Sequence, residues 1–431
     1  MSAYPKNFLF GAATAAHQVE GNNTCSDYWA MEQMKTTGFV EPSGDAVDHY
    51  NRYEEDIRLL AEAGLNCYRF SIEWARIEPL EGQFSPQELD HYRDVIHCCK
   101  QYGVTPIVTL HHFTSPKWLI AKGGWEAETT VADFTRYCTY IAQNLGSDLE
   151  YVVTINEANM GLQLAGIIKR YMKKMLLPGN RKKTDGKVQV GIDLRQMLAN
   201  QKLAAAENLQ VFGTTKPNTF VSQRSTEGDL LIMRAHQSAR DAMKAICPDL
   251  KIGLSLSLHD IQALKGGRKN ADKEWYMEFL HYLPYIEGDD FLGVQNYSRA
   301  RFGILGEADP PREAELTQMD YEFYPEGLEN VIRAVSKEFR GELLVTENGI
   351  ATADDSRRIA FLQRALAGVE HCIADNIPVK GYCCWSLLDN FEWQKGFAMT
   401  FGLIAVDRST QKRYPKDSLY YLGSIAKNSR M

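Results

Sequence analysis

An α/β fold of the (β/α)8, or TIM, barrel type is what the sequence predicts, and three observations predict it. Eight short β-branched or apolar runs occur along the chain, a segment with helical periodicity follows each of them, and the length of 431 residues suits a barrel with insertions, which runs from about 250 to over 400 residues as one domain. Strands alternating with helices imply a parallel sheet, and eight such units close into a barrel rather than an open doubly wound sheet. The expectation is a single domain over 1–431, without internal repeats or low-complexity segments.

The runs, in order, are Phe8 to Ala13, Asn66 to Ser71, Pro106 to Leu110, Tyr151 to Ile155, Lys251 to Leu256, Phe291 to Gln295, Leu343 to Thr346 and Val379 to Trp385. Each is apolar or β-branched over four to seven residues, the length of a buried strand. Between the first two, Tyr53 to Gly64 places apolar residues at helical spacing, and Gly64 supplies the stop. The interval between the fourth and fifth runs is much longer than the others, so an insertion is expected at about 161–224. Inside it, Lys169, Arg170, Lys173, Lys174, Arg181, Lys182, Lys183 and Lys187 form a basic run broken by Pro178 and Gly179. That run reads as a solvated face, with a docking surface for an acidic partner as the alternative.

Composition removes several classes of function. With 44% hydrophobic and 24% charged residues the chain is an ordinary globular composition, not a disordered, collagenous or coiled-coil one. Its 55 acidic residues outnumber its 48 basic ones, for a net charge of −7, which argues against a surface built for nucleic acid or anionic lipid. A small-molecule partner fits better, and oligomeric state is not readable. Nine cysteines, without a CxxC pair, offer neither zinc nor thioredoxin-like spacing and are expected to be reduced, packed thiols. No stretch reaches the roughly 20 apolar residues of a membrane span, and the first residues do not read as a signal peptide. The cytoplasm is the expected compartment, and no metal or organic cofactor is expected.

In such a barrel the active site lies at the C-terminal ends of the strands. Several runs end in polar residues: Arg69 and Ser71 on the second, His111 and His112 on the third, Asn156 and Glu157 on the fourth, Gln295, Asn296 and Tyr297 on the sixth, Glu347 and Asn348 on the seventh. The eighth leads into Trp385, Glu392 and Trp393. A single strand-end Glu could be salt-bridged structure. Two of them, Glu157 and Glu347, can face each other across the mouth, and two carboxyls, one neutral to protonate a leaving oxygen and one ionised to attack carbon, are what glycoside hydrolysis requires. Arg69 would keep one of them ionised.

At this point the chain resembles the retaining β-glucosidases and β-galactosidases of glycoside hydrolase family one. The resemblance rests on the stretch from Phe8 to Gly21, on Asp48 to Tyr53, Tyr68 to Arg76 and Leu110 to Pro116, on Thr154 to Asn159, on Val345 to Gly349, and on Trp385 to Trp393. About 160–224 is the main part it does not cover. It implies Glu157 as general acid/base and Glu347 as nucleophile, with Arg69 and Tyr297 bonded to the nucleophile. It implies Gln18, His112, Asn156, Glu392 and Trp393 as partners of the sugar hydroxyls, and Trp385 as a stacking platform. His111 is read as structural. Three positions depart from the pattern: Ala158 replaces a common proline, Phe113 a common tryptophan, and Asn296 the first of two tyrosines, so the role of Tyr297 depends on register.

The resemblance implies a metal-independent β-glycosidase, most of all a β-glucosidase, working by double displacement on a small-molecule β-glycoside. A 6-phospho-β-glycosidase is the alternative within enzymes, and a non-catalytic sugar-binding relative the alternative outside them. Glu392, where the phospho-enzymes carry Ser, speaks against the first; the presence of both Glu157 and Glu347 speaks against the second, and against a thioglucosidase.

Overall fold

The computed structural model describes residues 4–176 and 201–430, with the side chains of 170–176 and of 201 left outside that description. Eight parallel strands close into a barrel, here numbered β1 (Leu9–Ala13), β2 (Cys67–Ser71), β3 (Thr105–His111), β4 (Tyr151–Ile155), β5 (Lys251–Ser257), β6 (Phe291–Gln295), β7 (Glu342–Asn348) and β8 (Val379–Trp385). Each pairs with its neighbours in chain order, and β1 closes the ring by pairing with both β2 and β8. All eight expected strands are present, within a residue or two at their ends. At the start of β2 the boundary has a visible cause: the Asn66 side chain accepts from Phe10 N at 2.6 Å and donates to Phe8 O at 3.0 Å, clamping β1 instead of extending the strand.

Helices wrap the ring, and the sequence marks their ends. The helix Pro86–Gln101 has Pro86 in its first turn and is capped by Ser85, whose hydroxyl accepts from Glu88 N at 3.3 Å. The helix Thr226–Ile246 is capped in the same way by Ser225 and packs along Thr129–Leu145. The helix His49–Ala63 stops at Gly64, whose φ of 114° lies in the left-handed region that only glycine enters without strain. One large apolar core fills the space between strands and helices, and a second groups Cys67, Ile107, Tyr151, Val153, Phe291, Leu344 and Cys383, one or two residues from each of six strands.

Between β4 and β5 the described chain forms the helices Met160–Leu176 and Gln201–Phe212 before Thr226–Ile246. Of the basic run, only Lys169 has a described side chain, and it is exposed; Arg170, Lys173, Lys174, Arg181, Lys182, Lys183 and Lys187 lie outside the described side chains. No helix among the described residues is long and apolar enough to cross a membrane, and they contain no cluster of three metal-ligating side chains.

Candidate active site

At the C-terminal end of the barrel, where polar residues replace the apolar ones of the strands, a cavity with about 410 Å³ of empty volume is walled by His112, Phe113, Asn156, Glu157, Met160, Tyr297, Tyr321, Glu347, Trp385, Glu392, Trp393 and Phe401. Its floor is organised by Arg69, which the pleat of β2 turns inward two residues after Cys67. The guanidinium donates to Glu347 Oε1 at 2.7 Å, to Asn156 Oδ1 at 2.6 Å, to Thr346 O at 3.2 Å and, through Nε, to Thr109 Oγ1 at 3.1 Å. Tyr297 donates to the other Glu347 oxygen at 2.6 Å, so the register on which its role depended is the one found. The neighbouring Asn296 faces away, donating to Leu258 O and Ser298 O.

Asn156 has a fixed orientation. Its Oδ1 accepts from Arg69, from Ser255 Oγ at 3.1 Å and from Gln295 Nε2 at 2.7 Å, which leaves Nδ2 to donate to His112 Nε2 at 3.2 Å. Burial, then the Arg69 charge, pushes His112 well below the ordinary imidazole range, so it stays neutral with the proton on Nδ1. Among the described residues that Nδ1 has no partner, and neither has Gln18 Oε1.

The carboxyls sit in unlike surroundings. Glu157 is pushed well above the usual carboxylate range, first by burial and then by the charge of Glu347, against a single hydrogen bond from Ser257 and a weaker pull from Arg69. Burial also raises Glu347, but Arg69, Tyr297 and Gln295 all act to lower it, so of the two it is the one held toward its ionised form. Glu392 is pushed up to about 8 by burial and by Glu347, in spite of hydrogen bonds from Gln18 and Trp385.

The wall beside His112 is aromatic. His112 lies nearly parallel to Trp385 at 5.7 Å and to Trp393 at 6.1 Å between ring centres, and Phe113 approaches Trp393 at 5.2 Å. Gly349 lets the chain beyond β7 pass close to Trp385, since a Cβ there would stand 2.0 Å from Trp385 O. Three wall residues hold left-handed backbone: Phe113 at φ 71°, Glu157 at φ 44° and Trp393 at φ 46°. Non-glycine residues enter that region at a cost, and such positions gather at functional sites.

Comparison with known proteins agrees with this geometry. The family model Glycosyl hydrolase family 1 matches residues 1–282 and 294–431. The chain belongs to this family. The match runs through 161–224, which corrects the expectation that this interval falls outside the resemblance. Among solved structures, beta-glycosidase BGL167 is 43% identical with a TM-score of 0.87, covering 99% of this chain and 97% of that one. Beta-glucosidase 1317 is 38% identical, also with a TM-score of 0.87, over 98% of each chain. Beta-glucosidase A of Thermotoga maritima is 30% identical over 99% of this chain and 98% of its own. The protein is thus a glycoside hydrolase on the TIM-barrel fold of its family.

The family-1 site gathers all ten residues singled out from the sequence. Eight of them, Glu157, Glu347, Tyr297, His112, Asn156, Trp385, Glu392 and Trp393, line the cavity. Arg69 and Gln18 stand behind it: Gln18 donates to Phe391 O at 2.8 Å and to Glu392 Oε2 at 3.3 Å. His111 is structural as expected, bonded to Ser115 Oγ at 3.0 Å under Trp125. Gln295 was noted as a strand-end polar residue but given no role, and Ser255, Met160, Tyr321 and Phe401 were not singled out. Gln295 and Ser255 carried a signal, since both are polar residues near the C-terminal ends of apolar strands; Tyr321 and Phe401 come from loops and carried none.

Proposed function

We propose that this protein is a retaining β-glycosidase, a β-glucosidase by preference, with one catalytic barrel domain and a small-molecule β-glycoside as substrate. The observation that carries the reading is the contrast between two buried carboxyls of one cavity, Glu347 with a guanidinium and a phenol on its oxygens, Glu157 with neither among the described residues. Glu347 attacks the anomeric carbon while Glu157 protonates the departing oxygen. Glycosylation of Glu347 removes its negative charge, and that charge is the second cause of the raised Glu157 pKa. The pKa of Glu157 therefore falls in the intermediate, and the same group becomes the base that activates water in the second step.

The sugar's hydroxyls would meet His112 Nδ1, Asn156, Glu392 and Trp393, with Gln18 supporting Glu392 from behind, and its apolar face would lie on Trp385. Thiols that are all free support a reducing compartment, the cytoplasm; recovery of the native protein outside the cell would end that placement. The 6-phospho-glycoside alternative meets a wall with three carboxyls and, among the described residues, no Lys or Arg. Lys395, the nearby cation, is half-buried and outside that wall. Since Glu392 at about 8 is mainly protonated at neutral pH, the lack of a cation among the described wall residues, more than the charge of Glu392, is what disfavours a phosphate dianion. A 2-fluoro β-glucoside tests the assignment: it should become covalently attached at Glu347, and attachment at Glu157 would exchange the two roles.

A further inference from the structure

A carboxylate of the helix Gln201–Phe212 ties it to the long loop after β1. Glu207 Oε1 accepts from Lys35 N at 3.0 Å, and Oε2 accepts from Thr36 N at 2.8 Å and from the Thr36 hydroxyl. Three donors on one side chain hold the carboxyl below its usual range. The bonds join two segments distant in sequence, the interval after β4, which begins three residues after Glu157, and the long loop after β1.

Both ends of this connection reach the cavity wall. On both sides of Thr36 the β1 loop leans on the loop that carries Glu392 and Trp393: after it, Val40 N donates to Gln394 O at 3.2 Å, Glu41 accepts from Phe397 N at 2.9 Å and Phe39 stacks on Phe391; before it, Tyr28 meets Trp393 edge-on at 5.3 Å. In the other direction the helix packs on Lys117–Ala121, and the chain that follows it brings Phe220 against the wall residue Phe113, 5.9 Å between ring centres. The helix therefore bridges the surroundings of Trp393 and of Phe113. It belongs to the interval that leaves the Glu157 strand, on whose side a leaving group departs.

We propose that Glu207 is a positioning residue for leaving-group specificity: its bonds to Lys35 and Thr36 set the mouth against which a leaving group longer than one ring is held. The inference rests on the glycosidase reading above. It gives Glu207 no contact with the sugar being cleaved, so breaking the latch separates long leaving groups from short ones. Wild-type turnover of 4-nitrophenyl β-glucoside and cellotriose tests the glycosidase reading, and the ratio between the two substrates in variants tests the latch.

Glu207→Ala is expected to lower kcat/KM for cellotriose about three- to tenfold, the scale of one charge-assisted hydrogen bond weakened by solvent, while the nitrophenyl substrate stays within about 1.5-fold. Thr36→Val should act in the same direction with smaller size, the double variant should match Glu207→Ala alone because both remove one interaction, and Thr36→Ser should behave as wild type. Equal loss on both substrates, or no change on either in a protein of unchanged thermal stability, would overturn the proposal.

Discussion

The β7 wall and the β4 wall of the cavity present the same side chain and treat it in opposite ways. On β7, Glu347 lies where the pairing of the strand with both neighbours shifts register, and it is met by Arg69 on one oxygen and Tyr297 on the other. On the β4 side, Glu157 follows the strand at a left-handed φ of 44°, with no cation on its oxygens among the described residues and a pKa pushed upward. Identity alone does not decide what a glutamate does here. The difference lies in a guanidinium that the pleat of β2 aims at one carboxyl and not at the other.

The largest break in this comparison is the loss of the wall that attacks. Glu347→Ala should lower kcat on every β-glycoside by about 10⁴- to 10⁶-fold, since no bond to the anomeric carbon can form. Steady-state rates on a nitrophenyl β-glucoside measure it, and residual activity within tenfold of wild type would move the nucleophile elsewhere. Glu157→Ala should be gentler and selective. Proton donation is worth about 10²- to 10⁴-fold, and only poor leaving groups need it. Disaccharides should therefore lose that factor in the first step while dinitrophenyl glycosides are largely spared, as pre-steady-state release of the phenol would show.

The smallest effect sharpens the comparison. Tyr297→Phe removes one hydrogen bond to a charged group, worth about 1.5 to 3 kcal/mol, or roughly ten- to a hundredfold in kcat/KM. That bond lowers the pKa of Glu347, so its loss raises the pKa, and Glu347 then becomes ionised only at higher pH. The acid limb of the kcat/KM profile should move upward, with the alkaline limb, which follows Glu157, moving less. A shift of the acid limb toward lower pH would contradict the donor role of Tyr297.

How much of this could be read from the chain depends on what kind of order each part uses. The eight strands were legible because each is a short apolar run buried on both faces, bounded by turn and helix signals. Arg69, Asn156, Glu157 and Glu347 were legible because a polar residue ending such a run has few reasons to be there unless it faces the mouth. Gln295 had the same signature, but its bond to Asn156 Oδ1 depends on which rotamers two amides choose across the barrel, and no sequence pattern encodes that. Tyr321 and Phe401 reach the cavity from loops whose path is set by tertiary packing, so their positions along the chain say nothing of their neighbourhood. Glu207 looked like any surface residue of a helix until Lys35 and Thr36 appeared beside it.

Phe113, Glu157 and Trp393 share one more property, a backbone with positive φ. Each such residue costs of the order of 1 to 3 kcal/mol of conformational energy, which is comparable to the gain from a typical successful stabilising substitution. An engineer seeking a more heat-resistant protein would therefore find glycine or asparagine attractive at these positions, and a purely energetic search would choose them early. All three lie on the wall of the cavity. A stability library built without regard to function would include residues that shape the cavity, whereas positive-φ positions off its wall, such as Ala46, Asp320 and Gln411, are open to the same change.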